Sequence, residues 1–462
     1  RTNNISDYIL GGRRVNYWVT SLSAQASDMS GWLLMGLPGY AYLAGLEAFW
    51  IAFGLAVGTW VNWKFVARRL RIYTEISGDS ITLPDYFENR FRDKSKVLRI
   101  VSSIFILVFF LIYTSSGFVA GAKLFSSVFG LPYQTGLIIG VLVIIGYTFL
   151  GGFMAVSWTD FFQGVLMFIA VTLVPIIGFR LAGGLGGTIR TVRTLNPELL
   201  NIFTNTEGGP IGAIAIVSLV AWGLGYFGQP HILARFMGIK NADEIASARK
   251  IATVWVVISL AFAVLVGLVG LAGLDLSFEG ADSERVFIYL IDAVIPPVLA
   301  GVFLSAILAA IMSTADSQLL VTSSALTEDL YAVLLRNKAS QKELVWISRF
   351  SVVVVALIAM FIAFDPNSSV LGLVSYAWGG FGATFGPIVV LSLFWKRMTR
   401  NGALAGLLAG GITVIVWKNL SGGIFDLYEI VPGFLLGVIA ILIFSRVGSE
   451  APAEVIEEFE RV

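Results

Sequence analysis

Apolar runs of about 20 residues, each closed off by a charged or polar loop, recur along this chain from end to end. No other feature restricts the fold as strongly. In hydrocarbon a backbone amide or carbonyl finds no water, so a run of that length crosses as a helix that bonds its own backbone. Hydrophobic residues make up 57% of the 462 and charged residues only 13%, about half the charged share of an ordinary globular chain. The class is an all-α polytopic membrane protein.

About twelve spans are predicted by length, near 18–42, 46–66, 98–124, 134–152, 157–181, 211–236, 250–273, 297–331, 344–364, 369–395, 401–418 and 428–446. The connection at Gly151 and Gly152 between the fourth and fifth is very short. Loop charge tests the count. With the N-terminus inside, 25 of the 31 lysines and arginines fall on inner loops and tails, Arg1, Arg235 and Lys338 among them. The remaining six, Lys123, Arg180, Arg190, Arg193, Arg285 and Lys418, fall outside. An error of one span would scramble this asymmetry, so both ends are expected in the cytoplasm. Loop 71–99 is basic and inner, and loop 182–210 is outer. The acidic tail from Ser449 reads as a solvated end.

Several functions are excluded by what the chain lacks. With a net charge of +1 and no basic domain, it presents nothing for nucleic acid. It has no cysteine and a single histidine, His231, so thiolate and histidine-rich metal sites are out. No HExxH, GxSxG or GxxxxGK[ST] occurs. Neither an enzyme nor a resident cofactor is expected, and ATP-driven transport has no motor in this chain. The first residue is Arg, which reads as a start inside a longer chain.

Two spans carry breaks that regular helices do not tolerate. In the first, Ser21 to Tyr42, a polar interruption at Ser27, Asp28, Ser30 and Gly31 places a carboxylate at membrane depth, where an acid is costly and marks function. In the sixth, Gly223, Gly225 and Gly228 precede Gln229-Pro230, and proline removes a backbone donor. Trp222, Tyr226 and Phe227 flank this break. The broken spans stand five apart, so the second copy of a five-helix unit would run opposite to the first. Interrupted helices at matching places of two inverted units define the LeuT-type 5+5 transporter core. The repeats fall near 18–181 and 211–395, followed by helices over 401–446, in one membrane domain over 1–462.

In the eighth span Ser313, Asp316 and Ser317 share one helical face, with Thr314 and Gln318 beside them. Hydroxyl and carbonyl oxygens at that depth suit a hard monovalent cation; the plain alternative is hydrogen bonding between helices. Asp316, a buried acid, favours function. Asp160, in the SWTD that opens the fifth span, reads equally as an acid at a helix N-terminus. Glu47 reads as a cap or a solvated residue. Gly54 and Gly58 form a small-xxx-small pair for close helix packing. Tyr113 reads as a packed tyrosine or as part of a polar aromatic patch, and His231 as a hydrogen-bond partner before a proton relay.

These motifs resemble those of the bacterial sodium/proline symporters, a branch of the sodium/solute symporter family. The matching segments include DYILGGR (from Asp7), SDMSGWLLMGLPG (from Ser27), TLPDYF (from Thr82), VSWTD (from Val156), WGLGYFGQPHILARFM (from Trp222), LSAILAAIMST (from Leu304) and LGLVSYAW (from Leu371). The resemblance implies one helix before the LeuT-type core, which this sequence would lack, and a place in the bacterial cytoplasmic membrane. It implies sodium held by carbonyls at Ala26, Met29 and Ala310 with the hydroxyls of Ser313 and Thr314. It links Asp28 and Asp160 to ion coupling. It associates Ser30, Gly31, Trp32, Tyr113, Trp222, Tyr226 and Pro230 with L-proline. Asp316 departs from members that are uncharged there, which opens a change in ion affinity. Import by alternating access, with sodium and the lipid bilayer as partners, is the expected activity. A sodium symporter for another small solute, a transporter-like sensor and a channel are the competing readings.

Overall fold

The structure is a computed structural model and describes residues 5–150, 152–336, 339–447 and 451–462. Arg1, Gly151, Lys338, Ser449 and Glu450, to which expectations were attached, lie outside them. The regular structure of the described residues is all helical, with only isolated bridges at Val15–Ile239 and Thr204–Pro210.

Among the described residues nine helices are long and apolar enough to cross a bilayer, and the bent pair Ala213–Gly228 and Pro230–Gly238 makes a tenth. The sequence predicts about twelve, and geometry accounts for the difference. The run Trp32–Ile76 holds 45 residues, roughly 68 Å of helix and twice the bilayer core. It is divided at Gly45 (φ 62°), where an added Cβ would sit 2.2 Å from the Leu199 carbonyl. Trp32–Ala44 therefore closes the first span, and Phe49 opens the second. Tyr133–Gly146, the fourth span, is apolar but shorter, and brings the count to twelve.

Boundaries move by a few residues. The second span continues through a π-helical turn, Asn62–Val66, to Ile76, and the eighth through a π-helical end, Ala325–Leu335. The fifth begins at Phe153, not near 157. Asp160 thus lies two turns inside the helix, and the reading of it as an N-terminal acid does not hold.

The first, sixth and eighth spans are central. The first packs on the fifth, seventh and eighth; the sixth on the second and tenth; the eighth on the third and fifth. The tenth buries 83% of its most apolar window, against 28% for the twelfth, which therefore faces lipid. Gly54 and Gly58 do what their spacing suggests. A Cβ on them would lie 2.2 and 2.3 Å from the carbonyls of Val220 and Gly223, so the second span rests directly on the backbone of the broken sixth.

Candidate functional site

Asn16 caps the first half-helix, Tyr17–Asp28, by accepting from the Val19 amide. That helix stops at Met29 (φ −83°, ψ 73°), and the chain resumes as a π-helical turn at Trp32. The break leaves carbonyls without helical donors. The Ser30 amide, which would serve Ala26 in a continued helix, bonds instead to the Asp28 carbonyl. That carbonyl also accepts from Trp32 Nε1 at 3.0 Å and the Tyr113 hydroxyl at 3.3 Å.

The Ala26 carbonyl is taken up from across the bundle. Ser313 Oγ donates to it at 2.8 Å and Thr314 Oγ1 at 3.3 Å. Ser313 Oγ also reaches the Ala310 carbonyl at 3.2 Å. Met29 lies at the break, and all five of these residues are buried. The eighth span is regular here, so it presents both hydroxyls as a fixed wall to the broken first span. Neutral carbonyl and hydroxyl oxygens, with no nitrogen or sulfur, form a donor set for a hard cation.

Beside this cluster, Tyr226 in the sixth-span break donates to Asp28 Oδ2 at 2.6 Å. Asp28 is fully buried, and no basic group pairs with it among the described residues. The sixth span tightens to a 3-10 helix over Ala221–Gly228, turns at the extended Gln229, and restarts at Pro230 with a 45° bend. Trp222 lies against Trp32, ring centroids 6.2 Å apart, and stacks on Trp378 at 6.5 Å. Tyr226 meets Trp378 edge-on at 5.0 Å. Gly31 packs against the third and eighth spans, where a Cβ would sit 2.8 Å from Ala120 Cβ. Its role here is close approach. His231 stands edge-on to Phe110 and Tyr113.

A second buried cluster lies along the same helices. Asp160 Oδ2 accepts from Ser23 at 2.7 Å, Ser27 at 3.1 Å and Arg235 Nη2 at 3.1 Å. Arg235 also donates to Ser317 Oγ at 2.5 Å, and Ser317 meets Ser27 at 3.0 Å. Asp316 is buried next to Ser317. The helical face read from the sequence therefore divides: Ser313 and Thr314 face Ala26, Ser317 joins the Asp160 cluster, and Gln318 accepts from Thr114 at 3.1 Å.

Sequence reasoning missed Arg235, Ser23 and Trp378. Arg235 counts there as an inner-loop charge, yet it is buried and paired with Asp160. Its signal is a lone arginine inside an apolar stretch. Trp378 donates to the Trp222 carbonyl at 2.7 Å and accepts at its own carbonyl from Gln229 at 3.2 Å. Gly225 leaves room for it, since a Cβ there would lie 1.9 Å from Trp378 Nε1. Lys123, counted as an outer-loop charge, is likewise buried, 2.6 Å from Glu284.

Two opposed broken helices around a buried acid, walled by a hydroxyl-bearing regular helix, define a LeuT-type multi-pass membrane transporter fold. Known structures share it. The chain superposes on a Na+-coupled sialic acid symporter in its substrate-bound outward-open state with a TM-score of 0.80, at 20% identity, over 98% of this chain and 94% of that one. A nucleobase-cation-symport-1 family transporter matches with a TM-score of 0.59, at 13% identity, over 98% of each chain. The sodium:solute symporter family pattern matches residues 8–410, and the chain belongs to that family. It is 53% identical to the sodium/proline symporter of Salmonella typhimurium, over 100% of this chain and 91% of that one. It is 51% identical to the high-affinity proline transporter PutP of Bacillus subtilis, over 99% and 96%. It is 49% identical to the sodium/proline symporter of Staphylococcus aureus, over 100% and 91%.

Proposed function

We propose that this chain is a sodium-coupled symporter that imports L-proline by alternating access, and not an enzyme. The observation that carries the reading is the meeting of the Ala26 carbonyl with the Ser313 and Thr314 hydroxyls at the break of the first span. A sodium ion held there, with Met29 and Ala310, ties the first span to the eighth. Asp28 stands beside it and reaches through Tyr226 into the sixth-span break. Proline, a zwitterion with a compact apolar ring, suits that position. Its carboxylate suits the amides and half-helix ends near Ser30, Gly31 and Pro230. Its ring suits Trp32, Tyr113, Trp222 and Tyr226. Asp160 and Asp316 lie on the ion's way inward, with Arg235 paired to Asp160 as an internal cation.

Each ligand then favours the other by a reciprocal coupling free energy, typically about 1–3 kcal/mol. The sodium gradient and the membrane potential, about 2.3 kcal/mol per charge per 100 mV, drive uptake. The relatives' names and the conjunction of ion site and aromatic site support the solute. The repeats run near 18–181 and 211–395, and positive-inside asymmetry supports a cytoplasmic C-terminus in the bacterial cytoplasmic membrane.

The test is labelled proline uptake into proteoliposomes with and without an inward sodium gradient. Uptake should collapse without the gradient and be competed by unlabelled proline. Uptake indifferent to sodium, or competed only by a sugar or an organic acid, would overturn the reading.

A further inference from the structure

A small cavity of about 20 Å³ adjoins the sixth-span break at Pro230 and Ala234. Ser324, Thr82, Pro84 and Asp329 also line it. The turn Ile81–Pro84 borders it, following the second span and ending in the first two residues of the loop helix Leu83–Arg90. Apolar packing alone does not hold this turn. Thr82 caps the loop helix by accepting from the Asp85 amide at 3.1 Å, and its hydroxyl donates to Asp329 Oδ1 at 3.1 Å. Asp85 Oδ2 accepts from the Ile81 amide at 3.0 Å.

One side chain gathers these groups. Arg99, in the first turn of the third span, donates through Nε to Asp329 at 2.6 Å. Through Nη1 it reaches Glu88 at 3.1 Å and Asp85 at 3.2 Å. Its Nη2 donates to the Glu328 carbonyl at 3.5 Å. The guanidinium therefore joins three elements: the third span, the π-helical end of the eighth, and the loop helix. Three carboxylates surround one cation. Without Arg99 they would repel one another across the floor, and the strain would fall on the Ile81–Pro84 turn, since Asp329 belongs to a membrane span and the far end of the loop helix is held by Tyr86 and Arg90 against Ser392. Asp329 is fully buried, and its Oδ2 has no partner among the described residues. The Arg99, Asp85 and Glu88 side chains keep 13, 16 and 18% of their surface exposed, so water reaches the latch from the outer side of the floor.

We propose that Arg99 is a positioning residue for solute release: it latches the Ile81–Pro84 turn as the removable floor of the path from the sixth-span break to the cytoplasm. This rests on the proposed reading that the path carries solute inward. The latch is polar and edge-exposed, so it opens by exchanging ion pairs for water and leaves the packed spans intact.

The chain has no cysteine, so Ser324→Cys puts a single thiol in the cavity, at a residue only 2% exposed. Ser283→Cys puts a comparable thiol, also 2% exposed, at the opposite end of the molecule. Labelling by a membrane-impermeant maleimide in inside-out vesicles, without sodium or proline, reads the floor alone. Arg99→Gln should accelerate labelling at position 324 about tenfold and leave position 283 in solubilised protein unchanged, as expected for a local opening. Glu88→Gln, which loosens only the loop side, should accelerate it by a smaller factor, and it carries the test if Arg99→Gln fails to fold. Unchanged labelling at 324 in both variants overturns the proposal, and so does equal acceleration at both positions. Proline uptake that fails while position 324 still responds sinks the solute reading and leaves the latch standing.

Discussion

The Ser313 hydroxyl donates to the Ala26 carbonyl across 2.8 Å, joining the regular eighth span to the last turn of the first half-helix. The bond exists because the break at Met29 deprives that carbonyl of its helical donor. Ser313→Ala with Thr314→Ala removes both hydroxyls and leaves the carbonyl. Each lost polar interaction is worth about 1 kcal/mol or more, and every 1.4 kcal/mol is tenfold in affinity. The sodium concentration for half-maximal proline uptake should rise by at least about tenfold, with the amount of protein in the membrane little altered. Unchanged sodium dependence would remove the ion from this place.

Tyr226, in the sixth-span break, donates at 2.6 Å to Asp28, the acid beside the proposed ion site. Tyr226→Phe keeps the ring against Trp378 and removes only the donor. In the native protein, proline should lower the sodium requirement, and sodium the proline requirement, by one common factor. In the phenylalanine variant that factor should shrink toward one. Sodium titrations of uptake at low and at saturating proline measure it directly. An undiminished factor would confine Tyr226 to shaping the pocket.

The second span depends on glycine where it crosses the sixth. A Cβ on Gly58 would meet the Gly223 carbonyl at 2.3 Å, whereas one on Gly146 would meet nothing within 4 Å. Gly58→Ala should destabilise by about 1–3 kcal/mol through overpacking. Gly146→Ala should be neutral or slightly stabilising through helix propensity. Thermal melting in detergent, followed by fluorescence size-exclusion, compares the two. Equal melting points would mean that the two spans separate more easily than their packing implies.

Asp93, in the loop before the third span, titrates outside the membrane. Burial raises its pKa, but hydrogen bonds from Ser95 and the Leu98 amide, with the Arg400 guanidinium, outweigh burial and hold it below the usual carboxylate value. A depressed carboxylate stabilises the fold at every pH above its unfolded pKa, about 3.9, and loses that contribution as pH falls through the lower folded value. Asp93→Asn should therefore lower the melting temperature at pH 7 and flatten its further fall below about pH 4. Parallel melting curves for native and variant protein across that range would show that Asp93 does not carry the acid sensitivity.

The breaks were legible because glycine, proline and an intramembrane acid each carry a local physical meaning that needs no neighbour. Span count was legible for a similar reason: bilayer thickness acts on the chain as a string. Partnerships were not. Nothing near Asp160 in sequence announces Arg235, 75 residues away, and a charge count assigns that arginine to a loop. Trp378 is a tryptophan among apolar residues until the tenth span is laid against Gly225. Helix ends also moved: Asp160 seemed to open a helix because the preceding glycines concealed the start at Phe153.

The pair of Asp160 and Arg235 gives the most discriminating stability test. Both are buried, 3.1 Å apart, with Ser23, Ser27 and Ser317 completing the bonds and Asp316 adjacent. Removing one member of a buried pair leaves a charge without compensation and costs about 3–5 kcal/mol. Asp160→Asn alone should thus lower thermal stability sharply. Asp160→Asn with Arg235→Gln removes both charges and should recover much of the loss, giving a coupling energy above about 1 kcal/mol in a double-mutant cycle. Asp316→Asn should behave differently. No ion pair joins Asp316 to Arg235 among the described residues, so neutralising Asp316 only relieves its repulsion with Asp160 and should leave stability unchanged or raised. If Asp316→Asn proves as destabilising as Asp160→Asn, Arg235 serves both carboxylates equally, and the assignment of the ion pair to Asp160 fails.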